Sequence, residues 1–124
     1  MTPRPSRTQR GGRAWRQGHA AEWSAALWLM LKGYRILGFR LKSRAGEIDI
    51  LARRGRVLAV VEVKRRATLE AALAALTPQQ TARLVAAAQQ VVQGRKALQA
   101  LEIRLDLVAL APGRFPRHRR GVGS

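Results

Sequence analysis

The sequence predicts an α/β domain with a mixed sheet, and three observations carry that prediction. Residues 47–52 and 57–64 alternate charged with aliphatic or β-branched side chains, and Arg53-Arg54-Gly55-Arg56 joins them, the pattern of a hairpin. Helical periodicity lies on either side of this hairpin, at residues 15–32 and 77–93. A last alternating segment, residues 102–110, follows the second helix and returns the chain to the sheet. The predicted order is α-β-β-β-α-β, with helices flanking the sheet.

Each element has a local reason. Residues 1–14 are rich in Pro, Arg, Gly and Thr and are expected to form a disordered basic arm. From Trp15 the pattern turns helical, with Ala20, Trp23, Leu27, Met30, Leu31 and Tyr34 recurring as an apolar face and Trp23 expected in the core. Gly33 is a fitting stop. Residues 34–42 read as the first strand, and the hairpin strands follow. Residues 68–76 are rich in Ala and Leu and read as helical. Thr77-Pro78-Gln79-Gln80 then starts a helix afresh: Thr77 caps, Pro78 suits the first turn and Gln80 completes a capping box. Leu84, Val85, Ala88, Val91 and Val92 continue its apolar face as far as Gly94. Ile103, Leu105, Leu107 and Ala109 mark one face of the last strand. The folded domain is thus expected to span residues 15–111, followed by a basic tail at 112–124 with a solvated His118.

Bulk composition narrows the function. A chain of 124 residues with 47% hydrophobic content supports one core. Its 24 Lys and Arg against seven Asp and Glu give a formal charge of +17. Such a balance implies a polyanionic partner, nucleic acid before an anionic membrane surface. An Arg-rich genome is the plainer alternative. Cysteine is absent, which excludes disulfides and Cys-ligated zinc and fits a reducing cytoplasm, the expected location. Neither a signal-like apolar core in the first eighteen residues nor a bilayer-length apolar run is present, so no membrane role is expected. Gly-rich phosphate loops, Ser-His-Asp sets and zinc spacings are missing as well.

The scarce acids are not scattered. Glu47, Asp49 and Glu62 fall in Gly46-Glu47-Ile48-Asp49-Ile50 and Val61-Glu62-Val63-Lys64. Residues two apart share a strand face, so a hairpin brings three carboxylates and the Lys64 ammonium onto one face. Like charges at ~4 Å repel by roughly 4 kcal/mol at an effective dielectric near 20, so a cation is expected among them. Asp49 and Glu62 supply hard oxygen ligands for Mg²⁺ or Mn²⁺, and the Val63 carbonyl offers a third. Glu47 can complete the shell directly or through water. Lys64 can orient or deprotonate an attacking water, as phosphodiester hydrolysis requires. A surface ladder of salt bridges is the bland alternative. Asp106, beside Arg104, reads as a salt bridge or strand-end cap.

These segments resemble the PD-(D/E)xK nuclease superfamily. More closely, the chain is similar to YraN-like bacterial proteins, which resemble archaeal Holliday-junction resolvases. The residues that carry the resemblance are Ala21-Glu22, Gly33-Tyr34, Gly46-Glu47-Ile48-Asp49, Val61-Glu62-Val63-Lys64, Thr77-Pro78 and Arg104-Leu105-Asp106-Leu107-Val108. The resemblance implies a restriction-endonuclease-like core. It implies catalytic roles for Glu22, Asp49, Glu62 and Lys64, a metal held by Asp49 and Glu62 with Glu47 beside them, and a homodimer. Two positions depart from the pattern: Ala21 replaces a usual Gly, and Gln80 stands near a usual Lys. Arg53, Arg54, Arg65 and Arg66 are the expected phosphate contacts. The expected function is metal-dependent cleavage of DNA rather than RNA, branched or structured rather than of defined sequence. The competing expectations are a nucleic-acid-binding protein with a vestigial site and an RNA-associated basic protein whose acids serve folding.

Overall fold

The computed structural model describes the backbone of residues 7–123 and the side chains of residues 19–123. The elements are α1 (Arg7–Leu31), β1 (Arg35–Lys42), β2 (Glu47–Arg54), β3 (Val57–Arg65), α2 (Leu69–Leu73), α3 (Pro78–Gln93), β4 (Glu102–Leu110) and β5 (Arg117–Arg120), with a 3₁₀ turn at Lys96–Leu98. One five-stranded sheet runs in the order β1-β2-β3-β4-β5. Strands β1, β2 and β3 form an antiparallel meander, β4 pairs parallel to β3, and β5 pairs antiparallel to β4. The chain is therefore a mixed α/β domain whose sheet is flanked by helices. Among the described residues no helix is long and apolar enough to cross a membrane.

Strand alternation divides the core in two. Ala59 and Val61 of β3, with Ile50 and Ala52 of β2, pack against Ala25, Ala26 and Leu29 of α1. Leu58, Val60 and Leu51 point the other way, against Leu84, Ala87 and Ala88 of α3. The start of α3 follows the expected capping box. Thr77 Oγ1 accepts from the Gln80 amide and Gln80 Oε1 accepts from the Thr77 amide, each at 3.1 Å, with Pro78 in the first turn. Gly55, at φ +60°, makes the two-residue turn with Arg56 that sets the β2–β3 register.

Four expectations need correction. Helix α1 begins at Arg7, inside the stretch assigned to a disordered arm; extending a helix costs far less than nucleating one, so a polar N-terminal extension follows from the helix behind it. Residues 1–6 and the Trp15 side chain lie outside the described residues. The apolar face of α1 is also not the one its large side chains suggest. Small residues, Ala25 and Ala26, let the helix lie close to the sheet, while Trp23 is 57% and Leu31 75% exposed. Trp23 instead covers Phe39, with ring centroids 5.0 Å apart. The expected single helix at 68–76 is a short α2, capped by Thr68, that ends at Leu73. Finally, part of the basic tail is a strand: β5 runs along the sheet edge and carries His118 inward, its side chain fully buried. Its residues have no apolar alternation, so nothing local marks them as a strand.

Candidate acidic site at the end of the hairpin ladder

The site sits where β2 and β3 part. Their pairing runs from Arg54↔Val57 to Ile50↔Val61. Asp49 and Glu62 are the next opposed positions in that register, just past its end. There the Asp49 side chain replaces a backbone acceptor: the Val63 amide donates to Asp49 Oδ2 at 2.8 Å. Alternation carries the α3-facing side of the sheet from Val60 to Glu62 and Lys64; on β2 the alternation breaks at Asp49, since Ile50 packs on the α1 side and Ile48 on the α3 side. Lys64 Nζ lies 3.3 Å from Glu62 Oε1, and both side chains are largely buried. A cavity of about 160 Å³ beside them is lined by Gly46, Glu47, Glu62, Gln80, Arg83 and Leu84.

Glu22 reaches the cluster from α1. It is buried, at 6% exposure, and accepts from Arg40 Nε at 2.9 and 3.1 Å. Arg40 lies between the pairs Phe39↔Ile50 and Leu41↔Ile48, level with Asp49. Its φ of +50° is unique among the described non-glycine residues. Backbone strain of this kind concentrates at functional positions.

Electrostatically the four acids do not share their neutralisation evenly. Glu22 has Arg40 and Glu62 has Lys64, whereas no Lys, Arg or His pairs with Asp49 among the described residues. Burial pushes the Asp49 carboxyl up, and the facing Glu62 charge pushes it further; the Val63 amide pulls it down, and Glu22 and Glu47 push it up again, to about 7. A carboxyl in that position is half-protonated at neutral pH unless a cation joins it.

All four expected catalytic residues, Glu22, Asp49, Glu62 and Lys64, thus belong to one electrostatic cluster. The trio of ligands does not gather as expected. Among the described residues no three His, Cys, Asp or Glu side chains stand close enough together to hold a metal ion. Glu47 is exposed at the very start of β2 and lines the same cavity as Glu62. The pair that remains is two carboxylates. Mg²⁺ and Mn²⁺ take one or two carboxylates plus water and substrate oxygen, so the donor set fits such an ion.

The expected phosphate contacts separate into two groups. Arg65 and Arg66 follow Lys64 directly, and Arg66 Nη1 donates to the Arg65 carbonyl at 2.7 Å. Arg53 and Arg54 lie at the other end of β2, where Arg53 Nε donates to the Gly55 carbonyl at 2.9 Å. By strand rise the groups stand about 25 Å apart. Sequence reasoning missed Arg40 and Arg83. Both meet the acids only through tertiary packing, and neither falls in a recognisable spacing.

Fold and site together define a small mixed α/β protein that gathers scarce carboxylates and a lysine where two central strands part. The chain belongs to the Uncharacterised protein family UPF0102, whose model matches residues 21–110. This agrees with the YraN-like resemblance read from the sequence. It is similar to a UPF0102 protein of Caulobacter vibrioides (strain NA1000 / CB15N), 59% identical over 112 residues and 90% of each chain. UPF0102 proteins of Rhizobium meliloti and Maricaulis maris are 48% and 47% identical, each over 106 residues and 86% of this chain, covering 87% and 84% of their own lengths. The matched region contains every acid of the cluster and strands β1 to β4, and it stops short of β5.

Proposed function

We propose that this protein is a metal-dependent endonuclease with a restriction-endonuclease-like core, acting on branched or otherwise structured DNA. The observation that carries the reading is the Asp49–Glu62 pair past the end of the ladder, with an Asp49 carboxyl that the protein desolvates and does not pair with a cation. Asp49 and Glu62 would hold Mg²⁺ or Mn²⁺. The ion supplies charge to offset the scissile phosphate and acidifies the water beside it. Lys64, tethered by Glu62, directs its ammonium donors at the attacking water and a phosphate oxygen. Arg40 fixes the Glu22 carboxylate at the border of the cluster. Arg65 and Arg66 meet the neighbouring backbone phosphates. Water then attacks phosphorus, the bond to one bridging oxygen breaks, and the strand leaves with a new hydroxyl end.

The test is cleavage of junction, flap and linear DNA with Mn²⁺ and with a chelator. Asp49→Ala and Glu62→Ala should each lower cleavage by about a thousandfold or more, since several kcal/mol of transition-state stabilisation leaves with the ion. DNA binding should persist, because removing an acid also removes repulsion of phosphate. Unchanged cleavage by either purified variant contradicts the proposal. The internal pairs Glu62–Lys64 and Glu22–Arg40, with Gln80 in place of a lysine, favour a second reading: a DNA-binding protein whose site is vestigial. Tight binding without cleavage under any divalent ion would select it.

A further inference from the structure

The opposite end of the sheet holds a second polar constellation, about 17 Å along β2 from Asp49 by strand rise. A cavity of about 220 Å³ is lined by Tyr34, Arg54, Val57, Arg104 and Arg120. Three guanidiniums line it and no acid does. Two of them flank one phenol: Arg54 and Arg104 stand 5.7 and 5.8 Å from the Tyr34 ring centroid. Arg104 is rigid. Its Nε and Nη2 donate to Asp106 at 2.8 Å each, and Nη2 also donates to the Tyr34 hydroxyl. Nη1 takes part in none of these bonds.

The buried acid nearby, Asp106, is already saturated; Glu102 stands on the same strand face at the exposed start of β4, opposite Val57. Asp106 accepts from Arg104, from His118 Nε2 at 2.7 Å and from the Gly121 amide at 3.2 Å. Lys32 Nζ stands 2.7 Å from His118 Nδ1. Lys32, Arg54, Arg104 and Arg120 against Asp106 and Glu102 leave two positive charges at this end of the sheet. Burial, and then the Arg120 charge, hold the Lys32 ammonium below its usual range, a sign that the cations here repel one another.

We infer that this hollow, between the β2–β3 turn and the end of β5, binds a terminal phosphate group, a phosphomonoester or free phosphate rather than a backbone diester. Guanidiniums recognise phosphate oxygens through paired hydrogen bonds, and a rigid one does so at low entropic cost. A monoester offers three oxygens and up to two charges to three converging guanidiniums, whereas a backbone diester offers two oxygens and one charge. The volume is below that of drug-sized ligand pockets and is ample for a phosphate group. The source is either the phosphorylated end of a nucleic-acid strand or a free phosphate.

Thermal melting of the whole chain in inorganic phosphate and in chloride at equal ionic strength tests the site. Phosphate should raise the melting temperature specifically. Arg120→Gln and Arg54→Gln, whose side chains line the hollow without entering the Asp106 bonds, should weaken phosphate binding by about tenfold or more. A 5′-phosphorylated oligonucleotide that binds about tenfold more tightly than its 5′-hydroxyl counterpart identifies strand ends as the source. Equal binding of the two, with a retained phosphate effect, identifies a free phosphate. Asp49→Asn should keep the full phosphate response, so failure here is separate from failure of the nuclease reading. Equal effects of phosphate and chloride on the wild type, or a wild-type response in both Gln variants, would overturn the inference.

Discussion

Asp106 is fully and Asp49 partly withdrawn from water, on neighbouring parts of one sheet, and the protein treats them in opposite ways. Asp106 has no exposure and accepts from a guanidinium, an imidazole and a backbone amide. Burial alone would raise its pKa, but Arg104, then His118 and Gly121, outweigh it and hold the carboxyl below its usual range. Asp49 accepts one backbone amide and faces Glu62. A buried carboxylate with its own counter-charge is structure. One that the fold leaves opposite another acid is a place for a charge from outside. The difference separates a carboxylate neutralised within the fold from one for which we propose a metal ion.

Removing each aspartate's charge should break this symmetry most sharply. Asp106→Asn leaves Arg104 without its partner in a buried network and should destabilise the fold by about 3 kcal/mol or more. Asp49→Asn removes a repelled charge and should stabilise the metal-free protein by roughly 2 kcal/mol near pH 8. Chemical denaturation of both variants in a chelator reads the two signs; destabilisation by Asp49→Asn would mean that its carboxylate is a structural partner.

Dependence on pH sharpens the same contrast. The folded Asp49 carboxyl titrates near 7, above its unfolded value of 3.8. Its contribution is therefore fully present below pH about 4 and is lost as pH rises through about 7. Asp106 has a lowered folded value, so its contribution is present above about pH 4 and is lost as pH falls below it. Metal-free wild type should lose stability between pH 5 and 8 more steeply than Asp49→Asn, by about 1–3 kcal/mol. Parallel curves would remove the claim that Asp49 is desolvated and unpaired.

The smallest effect concerns the arginines beside the acidic end. Replacing Arg65 and Arg66 together by Gln should flatten the log–log salt dependence of duplex binding by about 2, since each phosphate left without its arginine takes about 0.9 from the slope. An unchanged slope would place the phosphate-binding groups elsewhere on the basic surface.

Much of this contrast is legible in the sequence where its causes are local. The two-residue turn at Gly55 and Arg56 determines which residues oppose across the hairpin, so Asp49 facing Glu62 follows from spacing. The α3 capping box is likewise written in four consecutive residues. The Asp106–Arg104 bond is within reach because the two lie on one strand face. The rest depends on distance. Arg40 finds Glu22 across eighteen residues, with a backbone angle that no propensity favours. Strand β5 has arginines where alternation would need aliphatics, and its anchor is His118 reaching Asp106. On α1, side-chain size is a poor guide to burial, because two alanines set how close the helix lies to the sheet.

The central claim is that the Asp49 end of the sheet awaits a cation, and melting the wild type and Asp49→Asn with and without Mn²⁺ tests it most directly. An ion that binds only the folded state adds about 2.7 kcal/mol at a hundredfold excess over Kd. The account predicts a wild type that melts higher in Mn²⁺, and an Asn variant that ignores Mn²⁺ yet starts from a higher metal-free melting temperature. A metal-insensitive wild type together with a less stable Asn variant would contradict it.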